Sequence, residues 1–201
     1  MPLRVGLRSL DPAPPHRSLL LVWHSRTSLA RQMADAMEAG AAAAAEEMQE
    51  RLVVHKRRAA DATVEALLAA DGYLFCCPEN LASASGAMLE FFHSSYYHAF
   101  VSSGAPEHTE TSLLLGRPYG LAIAAGSDGS NAARQVERIC TGWRLRPVAP
   151  TFVHQNGLPQ HRESILAPKG LLEPPARERC VELGGLVAAT VLLRGAEDAA
   201  T

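Results

Sequence analysis

Short continuous apolar runs alternate along this chain with longer segments in which apolar residues recur at helical spacing. A continuous apolar run predicts a strand that is covered on both faces, as in a parallel sheet. Strands that alternate with helices predict an α/β fold with a doubly wound, five-stranded parallel sheet. The predicted strands are residues 19–23, 52–55, 72–77, 118–125 and a fifth inside 147–154, and the predicted helices are about 27–40, 61–70, 87–98, 131–141 and 176–193.

The first residues differ in composition from the rest of the chain. Residues 1–17 contain several prolines and arginines but no apolar core, so we expect a loose tail rather than a signal peptide. Residues 18–201 are then expected to form one domain. The last apolar stretch, 183–193, is shorter than the roughly 20 residues that a membrane span needs. We therefore expect no membrane span.

Several residues are expected to start or end elements. Residues 41–45, all alanine, extend the first helix. Asp61 is the expected N-cap of the second helix, and Pro78 is expected to end the third strand. Residues 100–115 are polar and are expected to form a mobile surface loop, and a proline-containing loop is expected before residue 176.

The segment after the first predicted strand combines hydroxyl groups with one cation and leads directly into a helix. The first N–H groups of a helix lack partners within it, and a phosphate satisfies them at the positive end of the helix dipole. The segment predicts an anion-binding turn, although an ordinary turn with a hydroxyl cap has the same spacing. The candidate ligands are Ser25, Arg26, Thr27, Ser28 and Leu29.

Two further loops follow the third and fourth predicted strands. The loop that begins at Pro78 has small residues that let a flat ligand approach, and the loop that begins at Gly126 exposes backbone N–H groups. Ligands of open parallel sheets bind outside the carboxyl ends of the strands. The three loops together indicate a site for a phosphorylated planar cofactor. Taken alone, the loop at Pro78 is interpreted equally well as a packing loop, and the sequence at Gly126 is more commonly a helix N-cap. Their candidate residues are Pro78, Glu79, Asn80, Leu81, Gly126, Ser127 and Asp128.

Charge and cysteine content narrow the class of protein. A formal net charge of −2 and a pI near 6.4 argue against a nucleic-acid-binding protein, which would present a basic face. The same balance lacks the acidity with which an electron carrier steers onto basic partners. The four cysteines have no metal-site or disulfide spacing and are expected to be buried. We expect a cytoplasmic protein without a metal site.

Two of the loops carry a resemblance to a known family. The phosphate loop of the flavodoxin-like superfamily reads Ser/Thr-x-Thr-Gly-x-Thr, and Ser25 to Ala30 match it in position. The NAD(P)H-linked reductase branch has Pro-Glu-Tyr-Asn-Gly-Ser-x-Pro-Gly after its third strand, and Pro78 to Gly86 match that stretch. Over about residues 19–193 the chain therefore resembles the FMN-dependent reductases of this superfamily. The resemblance implies a flavodoxin-like three-layer sandwich with strand order 2-1-3-4-5.

The resemblance also implies a flavoprotein oxidoreductase with FMN as cofactor and NADH or NADPH as transient co-substrate. Electrons would pass to a quinone, a flavin or another small-molecule acceptor, and N–H groups near Gly126 and Ser127 would stabilise negative charge on the reduced ring. Because the cofactor carries the chemistry, no catalytic side chain is named. The absence of GxGxxG fits a nicotinamide that visits without residing. A homo-oligomer, dimer or tetramer, is expected.

The chain departs from the family pattern at three positions. Ser28 stands where glycine is usual, Ala30 replaces a hydroxyl residue, and Asn80 replaces a tyrosine. A lost neutral hydrogen bond costs about 0.5–1.5 kcal/mol, so these changes predict weakened FMN affinity.

Two alternative functions remain open. The altered phosphate loop favours a degenerate flavodoxin-like domain that acts as an electron carrier or a non-catalytic binding module. A hydrolase would use Ser83 with His154 or His161 as base, but the first glycine of Gly-x-Ser-x-Gly is absent.

Other chemically suggestive residues have simpler interpretations. The aromatic and histidine residues at 91–98 are interpreted as an apolar stripe with a possible subunit contact, and Cys76 and Cys77 as buried strand residues.

Overall fold

A parallel sheet forms the centre of the protein. The computed structural model describes residues 17–102, 110–158 and 161–199. The strands are β1 (Arg17–Trp23), β2 (Leu52–Arg58), β3 (Gly72–Asn80), β4 (Ser83–Ala84), β5 (Phe100–Ser102), β6 (Glu110–Ser112), β7 (Pro118–Ala125), β8 (Arg146–Pro147) and β9 (Phe152–Gln155). The order β2-β1-β3-β7-β8 is parallel throughout, and β9 pairs with the far end of β7. Since β8 and β9 share the fifth position, the predicted order 2-1-3-4-5 is confirmed.

Helices cover both faces of this sheet, which confirms the three-layer sandwich. Alternate side chains of β1 enter different cores: Leu19 and Leu21 pack on one face of the sheet, whereas Leu20 and Val22 pack on the other. Successive strand side chains point to opposite faces, so a strand covered on both sides must be continuously apolar. The helices are α1 (Leu29–Glu47), α2 (Val64–Ala69), α3 (Gly86–Ser95), α4 (Ser130–Gly142), α5 (Arg162–Leu166) and α6 (Pro174–Ala199).

Helices α1 and α6 approach each other at backbone distance. A Cβ atom added to Gly40 would lie 1.9 Å from the Val181 carbonyl oxygen, and one added to Gly184 would lie 1.9 Å from the Met37 carbonyl oxygen. Real Cβ atoms do not tolerate such contacts, so glycine is required at both positions. The alanines at 41–45 continue α1, as predicted. This contact fixes the direction of α1, and with it the loop that precedes the helix.

The prediction that Pro78 ends the third strand is wrong. Strand β3 continues to Asn80 and turns back as a hairpin, in which Glu79 pairs with Ala84 and Asn80 with Ser83. Proline lacks an N–H but its fixed φ suits extended backbone, so it tolerates a strand position that needs no donor.

The expected cap of the second helix is also wrong. Asp61 closes a short 3-10 turn, and Thr63 caps α2 by accepting a hydrogen bond from the Ala66 amide at 3.3 Å. Threonine at 63 has the extended backbone that an N-cap requires. The last helix likewise begins earlier than predicted, at Pro174, because proline is well suited to a first helical turn.

Residues 100–102 and 110–112 form strands, where the sequence predicted a mobile surface loop. Strands β5 and β6 pair antiparallel, and the buried Ser112 hydroxyl donates to the Trp143 carbonyl oxygen at 2.6 Å. The polar sequence did not indicate this pairing, because the Ser112 hydroxyl is buried with a hydrogen-bond partner inside the protein. Residues 103–109 and the predicted tail at 1–16 lie outside the described residues, and β1 begins at Arg17.

Candidate functional site

The loops after β1, β3 and β7 meet at one edge of the sheet because these three strands are neighbours. They enclose a cavity of about 670 Å³ at the carboxyl ends of the strands, where the strand order reverses. Ten of the twelve candidate residues line this cavity: Ser25, Arg26, Thr27, Leu29, Pro78, Glu79, Asn80, Leu81, Gly126 and Ser127. The other two, Ser28 and Asp128, do not.

The first loop leaves a run of backbone donors without acceptors. The chain turns into α1 at Ser28, which has a left-handed φ of 72° and does not cap the helix with its side chain. Within the described ranges, the amides of residues 25–31 donate to no backbone carbonyl, and the first helical bond runs from the Gln32 amide to the Ser28 oxygen at 3.0 Å. These N–H groups lie at the positive end of the helix dipole. They are therefore available to an anion.

The segment after α5 braces this first loop. The Lys169 amide donates to the Thr27 carbonyl oxygen at 2.8 Å, and the Ser28 hydroxyl donates to the Lys169 carbonyl oxygen at 3.3 Å. Gln32 donates to the Gly170 carbonyl oxygen and accepts from the Leu172 amide, both at 2.8 Å. Ser28 thus holds the loop in shape and does not line the cavity.

The second loop is a tight hairpin held by α4. Its two turn residues, Leu81 and Ala82, have φ of 53° and 56°. Ser83 donates to Gln135 Oε1 at 2.9 Å, and the same oxygen accepts from the Ala84 amide at 2.9 Å. Leu81 is fully exposed at the tip, where its side chain lines the cavity. The hairpin therefore forms a fixed wall with an apolar rim.

This arrangement does not assemble a hydrolase site. Ser83 is engaged by Gln135, and His161 accepts from the Ser164 amide at 3.3 Å as the cap of α5. No hydrogen bond joins Ser83 to His154 or His161 in the part of the chain that the structure describes.

At the end of the third loop, the backbone of Gly129 packs closely against neighbouring side chains. Gly129 has a left-handed φ of 72°, and a Cβ atom there would lie 2.5 Å from Val153 Cγ1. The Asp128 carboxylate accepts from the Ser130 hydroxyl, and its backbone oxygen accepts from Gln155 Nε2 at 3.3 Å. Asp128 is thus occupied at the start of α4, while Gly126 and Ser127 face the cavity.

Sequence reasoning missed the part of the site that follows β9. Asn156, Ile165 and Lys169 line the cavity from this side, and Lys169 adds a second cation to Arg26. The Asn156 amide donates to the Ala125 carbonyl oxygen at 3.0 Å, which continues the pairing of β9 with β7. The carboxyl end of the fifth strand was the available signal, since it must point to the same edge. The remaining lining residues are Ala30, Ala82, Ala124 and Ala125.

Burial shapes the titration of groups near the site. Burial lowers the pKa of His24, and the nearby Arg26 and Arg58 lower it further. Burial raises the pKa of the Cys77 thiol to about 11 and that of Cys76 well above its usual value. The predicted burial of both cysteines is confirmed, and both stay protonated at neutral pH.

The described residues contain neither a metal-binding cluster nor a membrane-spanning helix. Within ranges 17–102, 110–158 and 161–199, no three His, Cys, Asp or Glu side chains are grouped so that they could hold a metal ion. Over the same ranges, no helix has the length and apolar character needed to cross a bilayer.

Comparison with known proteins gives the fold its name. No protein-family model and no curated protein sequence matches this chain. Among solved structures, it is similar to a flavodoxin from the domain Archaea, with 14% identity and a TM-score of 0.61 over 87% of this chain and 98% of the other.

Two further solved structures are also similar. An oxidoreductase from Corynebacterium diphtheriae has 19% identity and a TM-score of 0.59, covering 88% of this chain and 97% of its own. A WrbA-like flavodoxin from Agrobacterium tumefaciens has 15% identity and a TM-score of 0.54, covering 90% and 98%. At these identities the likeness concerns the fold, and the chain has the flavodoxin-like fold that its loops predicted.

Proposed function

We propose that this protein is an FMN-dependent oxidoreductase that takes electrons from NADH or NADPH and passes them to a small acceptor such as a quinone or a flavin. The observation that carries the proposal is the run of amides at residues 25–31 without backbone acceptors among the described residues, beside a cavity of about 670 Å³. That volume lies within the range of about 300–1,000 Å³ that small-molecule sites occupy. The flavodoxin and oxidoreductase structures with the same fold support the proposal.

The phosphate of FMN would be held by the first loop. The amides and the hydroxyl groups of Ser25 and Thr27 supply neutral donors, and Arg26 supplies a charged one. The Lys169 ammonium group donates to the Ser164 carbonyl oxygen and has further N–H groups to offer. Glu79 is the one acidic residue among the described lining residues, so cations outnumber it.

The ring would lie between the second and third loops. Ala82, Ala124 and Ala125 place only methyl groups on the walls, and Leu81 and Ile165 offer apolar rims. When bound, FMN accepts a hydride from a nicotinamide and passes the electrons onward. The backbone near Ser127 is the candidate for stabilising negative charge at the polar end of the ring.

A second candidate function is a degenerate domain that carries electrons or binds a partner without catalysis. The observation that favours it is Ala30, whose methyl group lines the cavity where the resembling family has a hydroxyl. The near-neutral charge of the chain disfavours a carrier that is steered electrostatically to its partners.

The proposal is tested by titrating the purified full chain with FMN and following flavin fluorescence. Arg26→Ala is expected to weaken FMN binding about tenfold, the effect of one charge-assisted hydrogen bond. Arg57→Ala is the matched control, since Arg57 is exposed on β2 and lies outside the cavity. Equal affinities for the two variants would remove Arg26 from the phosphate site, and no binding by the unmodified protein would overturn the proposal.

Enzymatic activity then distinguishes the proposed oxidoreductase from an electron carrier or a binding module. The FMN-loaded protein is expected to oxidise NADH or NADPH with a quinone and to show ping-pong kinetics, because donor and acceptor use the same face of the ring. Bound FMN that dithionite reduces but NADH and NADPH do not would favour the carrier or binding module.

A further inference from the structure

A second cavity of about 310 Å³ lies against the first loop. Trp23, His24 and Arg58 line it together with Ser28 and Arg31, which do not line the larger cavity. Ser25 and Arg26 line both cavities. The two sites are therefore joined through the same short turn of backbone.

The charged residues among the described lining of this second cavity are all positive. Three of its lining residues are arginines, Arg26, Arg31 and Arg58, and no carboxylate is among its described lining residues. None of the three forms an ion pair with a residue in the described ranges. By contrast, Lys56 on the same strand as Arg58 is neutralised by Asp35 and Glu38. Surface arginines are ordinarily solvated, but three around one concavity attract an anion.

The cavity also offers flat surfaces and a ring nitrogen that has no partner among the described residues. The Arg58 guanidinium lies over the Trp23 ring, 5.4 Å from its centroid. His24 Nδ1 is buried and has no hydrogen-bond partner among the described residues. Planar bases stack on guanidinium groups and aromatic rings, and arginine forks bind phosphate oxygens in pairs. The lining thus combines phosphate recognition with stacking.

We propose that this cavity binds an adenosine phosphate, the second phosphate and base of a dinucleotide. A group held here sits next to the first loop, where a first phosphate would lie if the proposed function holds. The volume suits a nucleotide fragment rather than a whole dinucleotide. Such a fragment has two sources, the adenylate half of FAD or the adenosine phosphate of a nicotinamide dinucleotide.

The test uses the unmodified full chain and adenosine 2′,5′-bisphosphate as probe, with isothermal titration calorimetry as the readout. The unmodified protein is expected to bind the probe, and Arg58→Gln and Arg31→Gln are each expected to weaken it about tenfold. Arg57→Gln, the next residue on the same strand, is expected to bind it as the unmodified protein does. FMN affinity should stay unchanged in Arg58→Gln, because Arg58 does not line the larger cavity. Thermal unfolding checks that each variant is folded.

Two further measurements distinguish FAD from a nicotinamide dinucleotide as the source of the adenosine phosphate. If FAD binds more tightly than FMN and Arg58→Gln removes that preference, the adenylate half of the flavin occupies the cavity. If FAD and FMN bind equally and the probe also binds the FMN-loaded protein, a nicotinamide nucleotide occupies it.

The experiments distinguish a failure of the adenosine phosphate proposal from a failure of the proposed function. No probe binding, or equal binding by Arg58→Gln and Arg57→Gln, overturns the adenosine phosphate site and leaves FMN binding untouched. Probe binding without FMN binding overturns the proposed flavin function and leaves this site standing.

Discussion

Helices α1 and α4 begin with nearly the same backbone turn but differ in the charges around their first residues. Ser28 has φ 72° and ψ −21°, Gly129 has φ 72° and ψ −13°, and neither caps its helix through a side chain. Arg26 and Lys169 flank the first turn in the cavity, whereas Asp128 flanks the second and accepts from Ser130. We therefore expect the charges around a helix start, rather than the turn alone, to decide whether it binds an anion.

The two turns also differ in the space around the left-handed residue. A Cβ atom at Gly129 would lie 2.5 Å from Val153 Cγ1 and 2.8 Å from Ala125 Cβ. Ser28 has room for its side chain, which reaches the Lys169 carbonyl oxygen. Glycine is obligatory at the second turn, and the first accepts a residue that braces a neighbouring segment.

The substitution expected to have the largest effect on this comparison is Gly129→Ala. We expect it to lower the free energy of unfolding by about 3 kcal/mol, from overpacking against Val153 and the strain of a left-handed alanine. Urea denaturation measures the loss. Gly86→Ala is the control because no atom lies within 4 Å of its added Cβ. Equal stabilities for the two variants would show that the turn at Gly129 can relax.

Lys169→Met tests whether charge distinguishes the first turn. We expect FMN to bind about tenfold more weakly, because one charged donor to the phosphate is lost. Riboflavin, which lacks the phosphate, should bind the variant and the unmodified protein alike. Arg162→Gln, exposed on α5 and outside the cavity, serves as control. An equal loss for riboflavin would place Lys169 near the ring instead.

Ser28→Gly makes the first turn chemically like the second. Removing left-handed strain adds about 1–2 kcal/mol, while glycine's freedom in the unfolded chain and the lost 3.3 Å bond offset most of it. We expect the free energy of unfolding to rise by about 0.5 kcal/mol. Ser28→Ala keeps the strain, loses the bond and should be less stable than either. Urea denaturation of all three proteins ranks them, and a less stable glycine variant would contradict the strain.

The smallest expected effect is a pH dependence from the histidine beside the first turn. Burial lowers the pKa of His24, with Arg26 and Arg58 contributing, and burial lowers that of His154. The unfolded chain therefore binds more protons than the folded protein as pH falls through 6.5, so stability declines there. His24→Gln should flatten this decline, and His93→Gln, exposed on α3, should not. Urea midpoints at a series of pH values measure it.

The sheet was predictable because one physical requirement governs it. Strands β1 and β7 are covered on both faces, so nearly every residue in them is apolar and the run is visible in sequence. The loops at their carboxyl ends were predictable for the same reason, since strand ends meet at one edge. Ten candidate residues line one cavity on that basis.

What sequence could not show depends on contacts between distant residues. Strand β3 continues past Pro78 because Ser83 and Ala84 return to pair with it and Gln135 holds them. Lys169 reaches the cavity through its bonds to the first loop, more than one hundred residues away. Such pairings have no local pattern, so propensity and periodicity do not reveal them.

The bracing of residues 27–32 by residues 169–172 has a consequence for biosynthesis. Gln32 and Thr27 emerge early from the ribosome, but their partners at Lys169 and Leu172 are translated about 140 residues later. The nascent chain can pair β1 with β2 and β3 long before these hydrogen bonds form. The first loop is therefore expected to be completed only after residue 172 leaves the exit tunnel, so the FMN binding that we propose would be a late event in maturation.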